Sequence, residues 1–154
     1  MINFELHSKN HREFINPING LEIVNIFDIS KISIYEKEIK ELINNFNLEY
    51  KWDEMFTYED VINRIENSNL LFLLFYNKNP IGYVFFKPLS GYDFYLYNLY
   101  VTKIIERPKK SPIWFVNKVI SKLPTPLNKV TCYCEDWHSH AQNVFISNGF
   151  SVIS

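Results

Sequence analysis

A single alanine, Ala141, stands in a chain of 154 residues, and cysteine occurs only twice. Scarce alanine beside abundant Asn, Ile and Lys reads as an AT-rich coding bias, so an isolated Lys or Asn carries little functional weight. The cysteines, Cys132 and Cys134, are two positions apart. On a strand their Cα atoms would lie about 6.5–7 Å apart, at the far edge of disulfide geometry, so reduced thiols are expected. Excess charge of one sign is also missing. Sixteen Lys and Arg against 17 Asp and Glu leave a net charge of −1, which excludes broad charge-driven nucleic-acid binding. No apolar run approaches the roughly 20 residues of a membrane span, and the nearest, 70–76, is strand-length. No signal-peptide pattern opens the chain. A soluble cytoplasmic protein with no nucleic-acid or membrane partner is the expectation.

What is present is a core. Hydrophobic residues make up 47% of the chain, and the aromatic share of 17% is high. At this length one domain, 1–154, is expected, with about two-thirds of its unfolded surface buried. The most informative stretch is 92–123, which reads as a long strand, a short basic turn and an amphipathic helix. Strand parity fails within it, because Leu96 lies on the opposite parity from Leu99 and Val101. Either a bulge near Tyr97 and Asn98 resets the register, or both faces are buried and parity carries no information. Ser111 is a good N-cap and Pro112 a good first helical residue. Ile113, Val116, Val119, Ile120 and Leu123 recur at helical spacing until Pro124 stops the helix. A basic turn feeding a helix N-terminus is a candidate anion site, since unpaired N–H groups and the helix dipole point outward there.

The rest of the chain supplies the flanking elements. Residues 1–19 are polar and read as irregular, with an ordered strand or lid as the alternative. Residues 21–29 alternate as a strand. A helix capped by Ser30 or Ser33 is predicted to run to about Phe46. Thr57 and Asp60 resemble a capping box opening a helix over 58–67. Residues 70–76 and 81–88 form a hairpin about the Asn77–Pro80 turn. Residues 129–135 read as a strand, 138–147 as a short helix ended by Asn148 and Gly149, and 150–153 as a last strand. The order gives an α/β (α+β) class, with about four helices around a mixed, mostly antiparallel sheet.

Over about residues 20–153 this order resembles the GNAT (Gcn5-related N-acetyltransferase) superfamily. Pro80-Ile81-Gly82-Tyr83-Val84 is similar to its strand after a tight turn, and Leu99-Tyr100-Val101 to its central strand. Ala141 with Gly149-Phe150 is similar to its closing helix and strand. The resemblance implies an acceptor-side half, 20–91, and a CoA-binding half, 92–154. It implies acetyl-CoA as co-substrate, held by the backbone of Leu99, Tyr100 and Val101 and by a phosphate turn. That turn maps to Arg107, Lys109, Lys110 and Ser111, with Lys110 and Pro112 where the family has glycines. The loss matters, because glycine allows close phosphate approach and proline deletes a donor. Lys109 and Lys110 offer charge and Ser111 a hydroxyl in compensation.

The chemical positions also depart from the pattern. Tyr95 stands where many members carry a glutamate base, Phe145 where they carry an acidic tyrosine, and His138 where they carry an asparagine. Tyr95 and His138 are therefore the catalytic candidates, with Asp93, Glu135 and Asp136 as fallback bases through water. Trp52, Tyr83 and Tyr97 are candidate acceptor contacts in an aromatic set suited to a cationic amine, although such a set equally suits a core or dimer interface. Cys132, Cys134, His138 and His140 are zinc-ligand types, but their strand spacing argues against a shared metal, and none is assigned. The implied function is acetyl transfer to an amine of a small molecule or protein. The alternative is a GNAT-fold binding module that has lost efficient catalysis. The short last strand would favour a homodimer that completes it.

Overall fold

The computed structural model describes residues 1–51 and 54–153. Backbone contacts divide the chain into two compact units. One comprises Gly20–Phe86 and Asn98–Arg107; the other comprises Met1–Asn19, Lys87–Tyr97 and the chain from Pro108 onward.

The first unit is built on a hairpin. Strand β3 (Leu70–Tyr76) pairs antiparallel with β2 (Leu21–Ile26) and with β4 (Asn79–Pro88). Asn77 and Lys78 join β3 to β4 with φ of 48° and 70°, the two left-handed residues that match the twist of a tight hairpin. Five consecutive residues of β3, Leu71 to Phe75, are buried, as expected of a strand covered on both faces. Helices α1 (Ile29–Ile34), α2 (Glu36–Glu49) and α3 (Tyr58–Glu66) belong to this unit, with Ile39, Leu42, Val61 and Ile65 buried. The capping box at α3 is present: Asp60 N–H donates to the Thr57 hydroxyl, and Thr57 N–H donates to the Asp60 carboxylate.

The helix predicted from Ser30 or Ser33 differs from the one observed. Asp28, not a serine, caps α1 by accepting the Lys31 N–H at 3.1 Å. Tyr35 then leaves helical geometry (φ −106°, ψ 21°) and divides the segment in two. Hence there are five α-helices among the described residues rather than about four.

The second unit contains a strand that sequence reading left irregular. Residues Ile2–His7 form β1, which runs antiparallel to β6 (Lys129–Cys134) from Ile2↔Cys134 to His7↔Lys129. On its other side β1 meets β7 (Ser151–Val152), with Phe4 opposite Val152. Phe4 and Leu6 alternate inward and are 1% and 2% exposed. Three alternating apolar residues, Ile2, Phe4 and Leu6, in a short run are a weak sequence signal, yet they suffice once an unpaired strand edge is present on each side. The short last strand is thus flanked within this chain by its own N-terminus. Helices α4 (Ser111–Ser121) and α5 (Ser139–Ser147) pack together in this unit, and Gly149, with φ 88°, ends α5.

Strand β5 (Phe94–Val101) contributes its first half to one unit and its second half to the other. The seven strands run in the order β2-β3-β4-β5-β6-β1-β7, antiparallel in the ladders of β1, β2 and β3 and parallel where β5 meets β6. Among the described residues, no helix is long and apolar enough to cross a membrane.

Candidate functional site

The buried residues of β5, Phe94, Leu96 and Tyr100, share one parity, so the expected reset of the buried face is not seen. Asn98 adopts φ 53°, a left-handed conformation inside a strand. Beyond it Tyr100 is buried, while Leu99 and Val101 are half-buried. At its start β5 pairs with β6 through Phe94↔Val130 and Tyr95↔Thr131, and these two pairs make up the parallel ladder. Beyond Tyr95 the β6 edge of this strand takes no further part in that ladder, while its other edge stays paired with β4.

In the unit that holds Asn98–Arg107, the strand end is fastened to α2. The Glu49 carboxylate accepts the Tyr100 hydroxyl, the Thr102 hydroxyl at 3.1 Å and the Lys103 N–H at 2.7 Å. Three donors on one carboxylate, with Thr102 fully buried, make a rigid anchor. Arg107 is half-buried and folds back on its own turn, its Nε donating to the Thr102 carbonyl at 2.8 Å. Burial pulls its pKa down, opposed by the Glu49 charge. Sequence reading missed Glu49, which carries no motif and lies some fifty residues from its partners. Tyr83 is 3% exposed and packs against Phe46, Phe56 and Tyr100, with ring centroids 5.4–6.1 Å away. Burial pushes its hydroxyl pKa up, offset in part by Arg64 and the Asn98 amide. Close by, Gly82 lets the strands approach, since a Cβ there would sit 2.6 Å from the Tyr100 carbonyl oxygen.

The other unit holds the rest of the basic turn. Lys109 and Lys110 are exposed, and Lys110 rather than Ser111 occupies the N-cap of α4. Ser111 is fully buried and its hydroxyl donates to the Pro108 carbonyl at 2.6 Å, so that donor is already committed. Trp114, one turn into the helix, is 7% exposed, and its indole Nε1 has no hydrogen-bond partner among the described residues.

Tyr95 and Tyr97 stack at 5.7 Å, and Tyr95 stacks on Tyr133 of β6 at 5.8 Å. Burial, and next the hydrogen bond with Tyr133, raise the Tyr95 pKa well above the phenol range. His138 is the N-cap residue of α5 and stacks on the exposed Trp137 at 5.2 Å. Phe145 is 3% exposed, with the rings of Phe4 and Phe150 each 5.5 Å away. Trp52 lies outside the described residues.

Cys132 and Cys134 are buried free thiols on one face of β6. Among the described residues, no group of three or more His, Cys, Asp or Glu could hold a metal ion. Burial, with the neighbouring Cys134 charge second, pushes the Cys132 pKa up, and Cys134 is also raised by burial. Unfolded thiols ionise near pH 8.5, before the folded ones. The folded state thus holds more protons above that pH, so stability is complete below it and declines as pH rises. The urea midpoint is expected to fall between roughly pH 8.5 and 10, and to fall less in Cys132→Ala. An unchanged slope in that variant would show that the thiol takes no part.

Comparison with solved structures places this architecture. An aminoglycoside acetyltransferase from an uncultured soil metagenomic sample superposes with a TM-score of 0.64 at 16% identity, covering 84% of this chain and 88% of that one. A GCN5-related N-acetyltransferase from Kribbella flavida gives 0.61 at 6% identity, over 98% of this chain and 53% of that longer one. The fold is the GNAT fold. The Campylobacter jejuni N-acetyltransferase PseH, solved with acetyl coenzyme A, gives 0.57 at 16% identity over 87% of this chain and 90% of that one. No protein-family profile and no curated protein matches the sequence. Within the GNAT fold β5 is the central strand identified from Leu99-Tyr100-Val101, and β1 precedes the segment that carried the resemblance.

Proposed function

We propose that this chain is an acyl-CoA-dependent N-acetyltransferase that moves an acetyl group from acetyl-CoA to an amine of a small molecule or protein. The observation that carries the reading is β5: a short parallel ladder, then left-handed Asn98, on a GNAT fold. The neighbour solved with acetyl coenzyme A and the one named for aminoglycosides support the coenzyme and the amine class.

The residues present fit the coenzyme in charge and in spare donors, though not in a glycine cradle. Lys109 and Lys110 supply exposed cations at the start of α4, and the buried Trp114 Nε1 is a donor without an acceptor. Arg107 and Ser111 contribute less directly, their donors being committed to Thr102 and Pro108 carbonyls. When bound, the coenzyme supplies a thioester carbonyl open to attack. The chain's tasks are to hold that carbonyl on the backbone of 98–101, admit the amine with its lone pair free, and let the departing sulfur gain a proton. Tyr95, protonated across the working pH range, can orient the acceptor with Tyr97 and Tyr133. His138, at the N-cap of α5, is the imidazole candidate for proton transfer.

One observation favours the alternative of a binding module with little catalysis. Phe145 fills, with no proton to give, the position where the resemblance implies an acidic tyrosine. Calorimetric titration with acetyl-CoA, alongside an assay for released thiol over a panel of amines, separates the readings. The enzyme is expected to bind at micromolar coenzyme and release thiol. Changing Lys109 and Lys110 together to alanine should weaken binding at least about tenfold, because charge-assisted contacts to phosphate are lost. Binding without thiol release selects the module. No binding at millimolar coenzyme retires both the enzyme and its cradle.

A further inference from the structure

The N-terminal segment between β1 and β2 lies outside the residues whose sequence carried the resemblance, and it is tied to α4 in an ordered way. Asn117, 1% exposed, accepts the Phe14 N–H at 2.7 Å and donates to the Arg12 carbonyl at 3.0 Å. Its amide thus pairs with the segment as a neighbouring strand would. Lys118 adds a bond to the Phe14 carbonyl and lies 3.8 Å from the Glu13 carboxylate. A buried asparagine with both amide ends on one segment fixes where that segment runs.

So held, the segment forms one wall of a cleft of about 870 Å³, whose opposite walls come from the first turns of α4 and from α5. Arg12, Phe14 and Ile15 face Lys110, Ile113 and Trp114 across it. The chemistry is that of a site for an anion on an apolar arm. Two cations line it. Among the described residues the one lining carboxylate, Glu13, is held beside Lys118, and the buried Trp114 Nε1 has no acceptor. Arg12 spends only Nη1 on its own turn, at the Lys9 and His11 carbonyls 2.8 and 3.0 Å away, leaving the rest of its fork for a phosphate.

We propose that the N-terminal segment is the outer wall of the coenzyme's phosphate-bearing end. In this assignment Arg12 is a phosphate-binding residue, Trp114 a donor to the same end, and Asn117 a positioning residue. The assignment rests on the acetyl-CoA reading above. It also accounts for a turn that lacks glycines: charge brought from a separate segment replaces close approach of the backbone.

The test is calorimetric titration of the full chain with acetyl-CoA and, separately, with S-acetyl-pantetheine, which has the arm but no phosphates. Native protein, Arg12→Ala, Trp114→Phe and a surface control, Lys9→Ala, are compared, with urea midpoints measured for each. Arg12→Ala is expected to weaken acetyl-CoA binding about tenfold or more, the loss typical of one charge-assisted contact, and to leave S-acetyl-pantetheine unchanged. Trp114→Phe should weaken acetyl-CoA binding several-fold, with Lys9→Ala at the native value. Native binding matched by Arg12→Ala would overturn the wall while leaving the coenzyme reading intact. Absence of native binding to acetyl-CoA would remove that reading and this inference together. Equal losses for both ligands would also overturn it, since the segment would then act on folding rather than on phosphate.

Discussion

Replacing Phe4 with alanine is expected to cost about 3–5 kcal/mol of stability, the range for deleting a fully buried phenylalanine. Phe4 is 1% exposed, its ring is 5.5 Å from that of Phe145, and it belongs to a strand paired on both sides. Truncation removes the transferred apolar surface and leaves a cavity whose walls, β6 and α5, are regular elements with little freedom to collapse. Urea denaturation followed by circular dichroism measures the loss. A change below about 1 kcal/mol would mean that β1 is a loosely attached appendage, because a residue so enclosed cannot be shortened without effect in a packed core. Met1, whose amino group lies 2.7 Å from Asp136, is exposed and should tolerate substitution.

The second large effect is expected at Glu49. Its carboxylate is the common acceptor for Tyr100, Thr102 and Lys103. Glu49→Ala removes the acceptor and strands the donors, two of them on the buried residues Tyr100 and Thr102. Each buried donor left unpaired costs about 1–3 kcal/mol, so a loss of roughly 2–4 kcal/mol is expected after partial rehydration. Glu49→Gln keeps one acceptor oxygen and should recover part of it. A double-mutant cycle with Tyr100→Phe apportions the network: coupling of about 0.5 kcal/mol or more is the expected result, and strict additivity would show that the two side chains do not depend on each other. Since Glu49 ties α2 to the end of β5, the same variant should also weaken acetyl-CoA binding if the backbone of 98–101 holds the coenzyme.

Much of the fold was legible locally. The hairpin was marked by an apolar run and an Asn-Lys turn, and both turn residues adopt the required positive φ. The capping box at Thr57 was legible because both partners lie within four residues. The parity argument pointed at Tyr97 and Asn98, where Asn98 does adopt a positive φ, but the buried residues Phe94, Leu96 and Tyr100 keep one parity. Helix α4 was legible in extent, but its cap shifted by one residue. The Ser111 hydroxyl donates to the Pro108 carbonyl instead of accepting from the helix's own N–H groups, which leaves Lys110 at the end of the turn.

The remainder depended on partners far away in sequence. No punctuating Gly or Pro announces the break at Tyr35, and Tyr35 is instead turned toward Phe75, their ring centroids 6.2 Å apart. Glu49 reads as one more surface acid on a polar helix until residues more than fifty positions later close around it. Residues 1–19 are polar on average and read as irregular. Whether Ile2–His7 forms a strand is decided by the open edges of β6 and β7, and whether residues 12–14 are ordered is decided by Asn117 more than a hundred positions on. By itself, the sequence determined the periodicities, the capping box at Thr57 and the tight turn, because each arises from residues within a turn or two of one another. Tertiary structure alone decided which strand edges β1 would fill and which donors would meet the Glu49 carboxylate. It also decided that an N-terminal segment would face Lys110 and Trp114 across a cleft. Those choices come from pairing free energies between distant segments, which no local pattern encodes.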